Sequence, residues 1–132
     1  MNRQYIRAGK YDINQVLPFT VFVRNFKLHK DSCIKEFDGK KVKMNSLRYQ
    51  TFATKGVKCV KCGIEGKFFA LEQDKYQPSE YWHFNLYGID ESGNEVLMTK
   101  DHIVPASKGG KDRLKNLQTM CTHCNAKKKD IM

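Results

Sequence analysis

The stretch MTKDHIVPASKGG, Met98 to Gly110, sets an acid beside an imidazole, Asp101 and His102, and follows them with a proline and a glycine pair. It closes a longer run, EYWHFNLYGIDESGNEVLMTKDHIV, that reads as a β-hairpin: an aromatic strand over Tyr81 to Ile89, a turn in DESGN, and a second strand over Glu95 to Ile103. Alternation puts Trp82, Phe84 and Leu86 on one face and His83, Asn85 and Tyr87 on the other, where His83 and Asn85 would stand exposed and could touch a nucleic acid. The second strand delivers Asp101 and His102 at its end. Gly109 and Gly110 then permit the positive backbone angles of a tight loop, LKNLQTM returns the chain, and THCNAKKKDIM begins a lysine-rich terminal helix.

Four of the five cysteines flank this region as two pairs, Cys59–Cys62 and Cys121–Cys124, each with a two-residue gap. Two such pairs complete a tetrahedral four-thiolate structural zinc site. Zinc there would tie the ends of the 58-residue insert together and fix whatever lies between. His123 sits inside the second pair as a spacer, and Cys33 reads as a small buried hydrophobe.

The chain of 132 residues holds one domain's core and no second independent fold. It lacks both an apolar run long enough to span a membrane and the apolar core of a secretory signal, so the expected location is cytoplasmic and no membrane partner is expected. In that reducing setting paired cysteines point to metal rather than disulfides. The net charge of +10 favours a polyanionic partner. It is uneven: residues 1–58 hold 13 basic and 4 acidic side chains, whereas residues 59–132 hold 11 and 10.

Residues 1–44 read as a basic, irregular amino-terminal extension with one β-like run, FTVFVRNFK, alternating around Phe19, Val21 and Val23. NSLRYQTFATKG then reads as a short helix capped by Asn45 and ended by Gly56, its face of Leu47, Tyr49 and Phe52 turned to the core. The division is an extension over 1–44 and a zinc-stabilised domain over 45–132, of α+β class.

A strand ending in Asp101 and His102, a loop, Asn116, and Asn125 at the start of a helix make a ββα arrangement in which polar side chains can converge. Phosphodiester hydrolysis needs a base to activate water and a hard cation to neutralise phosphate charge. Histidine as a residue type can take a proton near neutrality, and Asp101 with the Asn125 amide oxygen offers the oxygen donors that Mg²⁺ prefers.

The pattern DHIVPASKGG…KNLQTMC…CNAKK, together with the two CxxC pairs, resembles the HNH endonucleases, also called ββα-metal or His-Me finger nucleases, in their zinc-containing branch. The chain is similar in size to small bacteriophage members. The resemblance runs from about Val57 to Asp130 and is faint before it. It implies a small ββα-metal fold, His102 as general base, Asp101 and Asn125 holding one catalytic Mg²⁺ or Mn²⁺, and Asn116 fixing the loop and the orientation of His102. It further implies a DNA substrate gripped mainly by its backbone, nicking or double-strand cutting, 5′-phosphate and 3′-hydroxyl products, and a monomer or weak dimer. One departure stands out: where the colicin branch carries an additional histidine ligand one helical turn on, this chain has Lys129. Lys128 and Lys129 are therefore phosphate-contact candidates, and the metal site should be open. Two other functions remain to be weighed: a catalytically inactive zinc-stabilised module binding DNA or protein, and a nuclease acting on RNA, in which Tyr81, Trp82 and Tyr87 could stack on bases.

Overall fold

The computed structural model describes residues 4–131. Seven strands run in chain order as β1 (Tyr5–Tyr11), β2 (Ile34–Phe37), β3 (Lys40–Lys43), β4 (Gly66–Asp74), β5 (Tyr81–Ile89), β6 (Glu95–His102) and β7 (Leu117–Cys121). Three helices accompany them: the single turn α1 (Lys30–Cys33), α2 (Leu47–Lys55) and α3 (Thr122–Ile131). The spatial order is β1-β4-β5-β3-β2, with β6 branching from β5 and carrying β7 on its far side. The class is mixed α and β, rich in strand.

The β5–β6 hairpin forms over the expected residues, with Tyr87 opposite Leu97 and Ile89 opposite Glu95. Beyond Leu97 the two strands part. β6 turns to β7, pairing from Met98–Cys121 to His102–Leu117, so Gln118 lies directly opposite Asp101. Helix α2 fills the fork. Its residues replace the missing ladder at Phe84, whose N–H donates to the Tyr49 hydroxyl (2.8 Å) and whose carbonyl accepts from Arg48 Nη2 (2.6 Å). Unpaired backbone groups this deep would otherwise be costly, which explains why a tyrosine and an arginine stand together there.

The helix starts and ends almost where its sequence places it. Ser46, not Asn45, is the cap: its hydroxyl accepts from the Tyr49 N–H, while Asn45 reaches back to the Val23 carbonyl. Gly56 ends it with φ of 96°, a conformation that favours glycine. Tyr49 and Phe52 are buried and Leu47 is half-buried. They pack into an aromatic core centred on Phe84, with Phe37 edge-on at 4.8 Å and Tyr11 and Phe69 beyond it.

Two local expectations are corrected. Of the segment 1–44, residues 4–44 are not irregular, because they supply β1, which pairs with β4, and the β2–β3 hairpin, whose second strand runs parallel to β5; residues 1–3 lie outside the described residues. The run Phe19–Lys27, despite its alternation, forms no strand. Pro18 places Leu17–Phe19 in a 3₁₀ turn, and the chain that follows is fastened through Val21 N–H to Met44, Asn45 to Val23 and Arg24 to the Asp112 carbonyl, not by a strand ladder. Cys33 is buried and its thiol is pushed up by that burial, as a small core hydrophobe.

Candidate active site and cysteine cluster

The four paired cysteines meet. Cys59 and Cys62 lie on the turn after α2, held by Gly63 N–H to the Cys59 carbonyl and Cys59 N–H to Ile64. Cys121 ends β7, and Cys124 lies in the first turn of α3. Their four sulfur atoms all lie within 4.8 Å of one another, with Cys62 and Cys121 Sγ at 3.8 Å. Zinc–sulfur bonds of about 2.3 Å set sulfur atoms about 3.8 Å apart at the corners of a tetrahedron. The donor set therefore fits a metal such as zinc.

The electrostatics agree. Burial pushes the Cys59 thiol up, but backbone N–H groups of Cys62, Cys121 and Lys61 outweigh it and hold the thiol at about 6. Burial and the neighbouring thiols push Cys124 to about 12. Four acids this close cannot all ionise without a cation among them.

Asp101 and His102 occupy the last two positions of β6, so their side chains leave opposite faces of the strand. Asp101 is buried; its Oδ2 accepts from Gln118 Nε2 (3.0 Å) and from the Lys128 ammonium (2.7 Å). Lys128 also donates to the His102 carbonyl at 2.5 Å, so α3 is riveted to the end of β6. A divalent cation entering at Asp101 Oδ2 would have to replace that ammonium.

His102 is half-buried, and its Nε2 lies 3.2 Å from Asp112 Oδ1. A carboxylate only accepts, so in the neutral imidazole this contact favours the tautomer with its proton on Nε2 and its lone pair on Nδ1. Sequence reasoning missed Asp112, as well as Gln118. The only signal for Asp112 was an acid in an otherwise basic loop, GGKDRLK.

Asn116 holds that loop. Its Oδ1 accepts from Val104 N–H (2.9 Å), its Nδ2 donates to the Val104 and Lys111 carbonyls, and its own carbonyl accepts from Ile103 N–H. The glycines have separate reasons: Gly109 has φ of 87°, and a Cβ on Gly110 would lie 1.7 Å from the Val104 carbonyl oxygen.

Asn125 lies in the first half of α3. Its Nδ2 donates to Thr99 Oγ1 (3.0 Å), while its Oδ1 is buried with no hydrogen-bond partner among the described residues. Thr99 and Asp101 are alternate residues of β6, and Asn125 and Lys128 are one turn apart on α3, so one helix face lies along one strand face. The Asn125 amide oxygen is thus uncommitted, while Asn125 itself is not among the residues that line the hollow at the end of β6.

The hollow at this strand end, about 270 Å³, is lined by Asp101, His102, Ser107, Lys128 and Lys129. The other two nucleic-acid candidates do not join it. His83 and Asn85 line a separate hollow beside α2, and Asn85 is buried rather than exposed. The cause is Glu72 of β4, which takes the Asn85 amide (2.8 Å), the Tyr87 hydroxyl (2.7 Å) and Arg7 Nε (2.7 Å) and makes this face of β5 a second interior.

Residues 90–132, a third of the chain, match the model of the HNH endonuclease family. No curated protein and no solved structure matches the chain. Among the described residues no helix is long and apolar enough to cross a membrane.

Proposed function

We propose that the protein is a metal-dependent HNH endonuclease that hydrolyses DNA phosphodiester bonds. The observation that carries this reading is the pairing of His102 Nε2 with Asp112 at the rim of the hollow that Asp101, Lys128 and Lys129 also line. It leaves His102 Nδ1 free to take a proton from water. Asp101 and Asn125 would hold one Mg²⁺ or Mn²⁺, which when bound neutralises charge on the phosphate and the departing oxygen. Asn116 keeps His102 in place by pinning Val104, two residues on. Lys128, once displaced, and Lys129 flank the entering phosphate. Zinc on Cys59, Cys62, Cys121 and Cys124 ties α3 to the turn after α2. The basic residues 1–58 add backbone affinity that falls steeply with salt.

A binding module without catalysis would need the cationic surface but not an acid and a histidine lining one hollow at the end of β6. Supercoiled plasmid separates the two. Wild type with Mg²⁺ or Mn²⁺ should convert it to nicked or linear form, chelator should stop the conversion, and Asp101→Asn should slow it at least ~100-fold. Plasmid bound but uncut with either cation would establish the binding module instead.

A further inference from the structure

The hollow beside α2 is absorbed by none of this chemistry. It measures about 470 Å³, within the range of small-molecule sites, and its lining includes Lys43, Arg48, Tyr81, Trp82, His83 and Asn85. No aspartate or glutamate is among its lining residues. Neither Lys43 nor Arg48 has a carboxylate partner among the described residues. Arg48 is anchored through Nη2 to the Phe84 carbonyl, and its Nε, though buried, has no acceptor. Lys43 Nζ stands 4.4 Å from the Tyr81 ring centroid and 4.5 Å from that of Phe26, so a cation is already held among aromatic rings. Two cations without a carboxylate partner beside aromatic rings form a site for a ligand that is both anionic and planar.

Its position adds to this. β5 begins at Tyr81 and β6 ends at His102, so the two hollows lie on the diverging arms of one hairpin, on the side away from its turn. We propose that this hollow is a nucleotide subsite that takes one unpaired base with its phosphate from a single-stranded segment of nucleic acid. The phosphate lies against Lys43 and Arg48 and the base against the ring of Tyr81, with Trp82, the next residue of β5, at the edge of the hollow. The proposal rests on the reading of the protein as one that acts on nucleic acid. It does not require that the strand be cut.

Trp82 is the chain's one tryptophan, so its emission reports on this hollow. The test titrates His102→Ala protein, without divalent cation, with an eight-residue thymidine oligonucleotide, a base-free deoxyribose-phosphate octamer and a 20-base-pair duplex. The thymidine strand should quench Trp82 saturably and the other two should not. Lys43→Met and Tyr81→Leu, each with unchanged cysteine-bound zinc and melting temperature, should weaken that binding at least ~5-fold. Equal quenching by the base-free octamer or the duplex, no quenching, or unchanged affinity in both variants would overturn the subsite. Because no cleavage is read, failure here leaves the nuclease reading intact, and failure to cut plasmid leaves the subsite intact.

Discussion

Glu72 and Asp101 are both buried carboxylates, 2% and 8% exposed, yet they are held in different ways. Glu72 has both oxygens committed to donors on β1 and β5, with Arg7 on Oε2 and Asn85 and Tyr87 on Oε1. Those donors are fixed by the sheet. Asp101 meets Gln118 and Lys128 through a single oxygen, and Lys128 reaches it on a long stem from α3 at the edge of an open hollow. A charge saturated by fixed partners can only stabilise the fold. One held by an exchangeable ammonium can take another cation.

The largest effect that would break this contrast comes from the cysteine cluster, which fastens α3 and therefore Lys128 against β6. Cys121→Ser should lose the zinc and the cooperative folding of the carboxyl-terminal part, read by metal analysis and thermal melting. A stable, zinc-free protein with Lys128 still protecting Asp101 would remove the cluster from the account. Next, Glu72→Ala leaves Arg7, Asn85 and Tyr87 without their acceptor and should cost about 3–5 kcal/mol in urea unfolding. The rate of cleavage per folded molecule should not change.

Lys128→Met sharpens the comparison from the other side. Freed of its ammonium, Asp101 should bind Mn²⁺ about tenfold more tightly, roughly 1.4 kcal/mol, by electron paramagnetic resonance of the bound ion. Unchanged affinity would mean that Lys128 does not stand in the cation's place. The smallest effect belongs to the rim of the Glu72 network. A hydrogen bond from Arg7 holds the Glu95 carboxyl below the usual carboxylate range. Its stabilisation is present above the unfolded carboxylate value of about 4.3 and is lost as pH falls through the lower folded value. The pair is partly exposed, so Glu95→Gln should flatten the acid limb of the stability curve by no more than about 1 kcal/mol.

Local signals carried the hairpin, α2 and the cysteine cluster, because caps, turns and two-residue gaps are written within a few positions. β1 was not legible, since a bulge between Arg7 and Gly9 shifts its register and interrupts the period of two. β7 was missed because LQTMC is short and almost wholly buried, and its identity as a strand depends on β6 beside it. Phe19–Lys27 shows the converse, alternation with no partner strand. At the proposed site, the order of Asp101, His102 and Asn116 around the glycines is written locally in the sequence. Asp112, Gln118 and the Lys128 ion pair are not, because each joins residues 10, 17 and 27 positions apart through tertiary structure.

The most direct test of the central claim is the single-turnover nicking rate of His102→Ala, measured on protein whose zinc content and melting temperature match wild type. With His102 as the base, the rate should fall by roughly a hundred- to ten-thousand-fold while fold and metal cluster stay intact. A rate equal to wild type would contradict the assignment of His102 and, with it, the chemistry proposed for the end of β6.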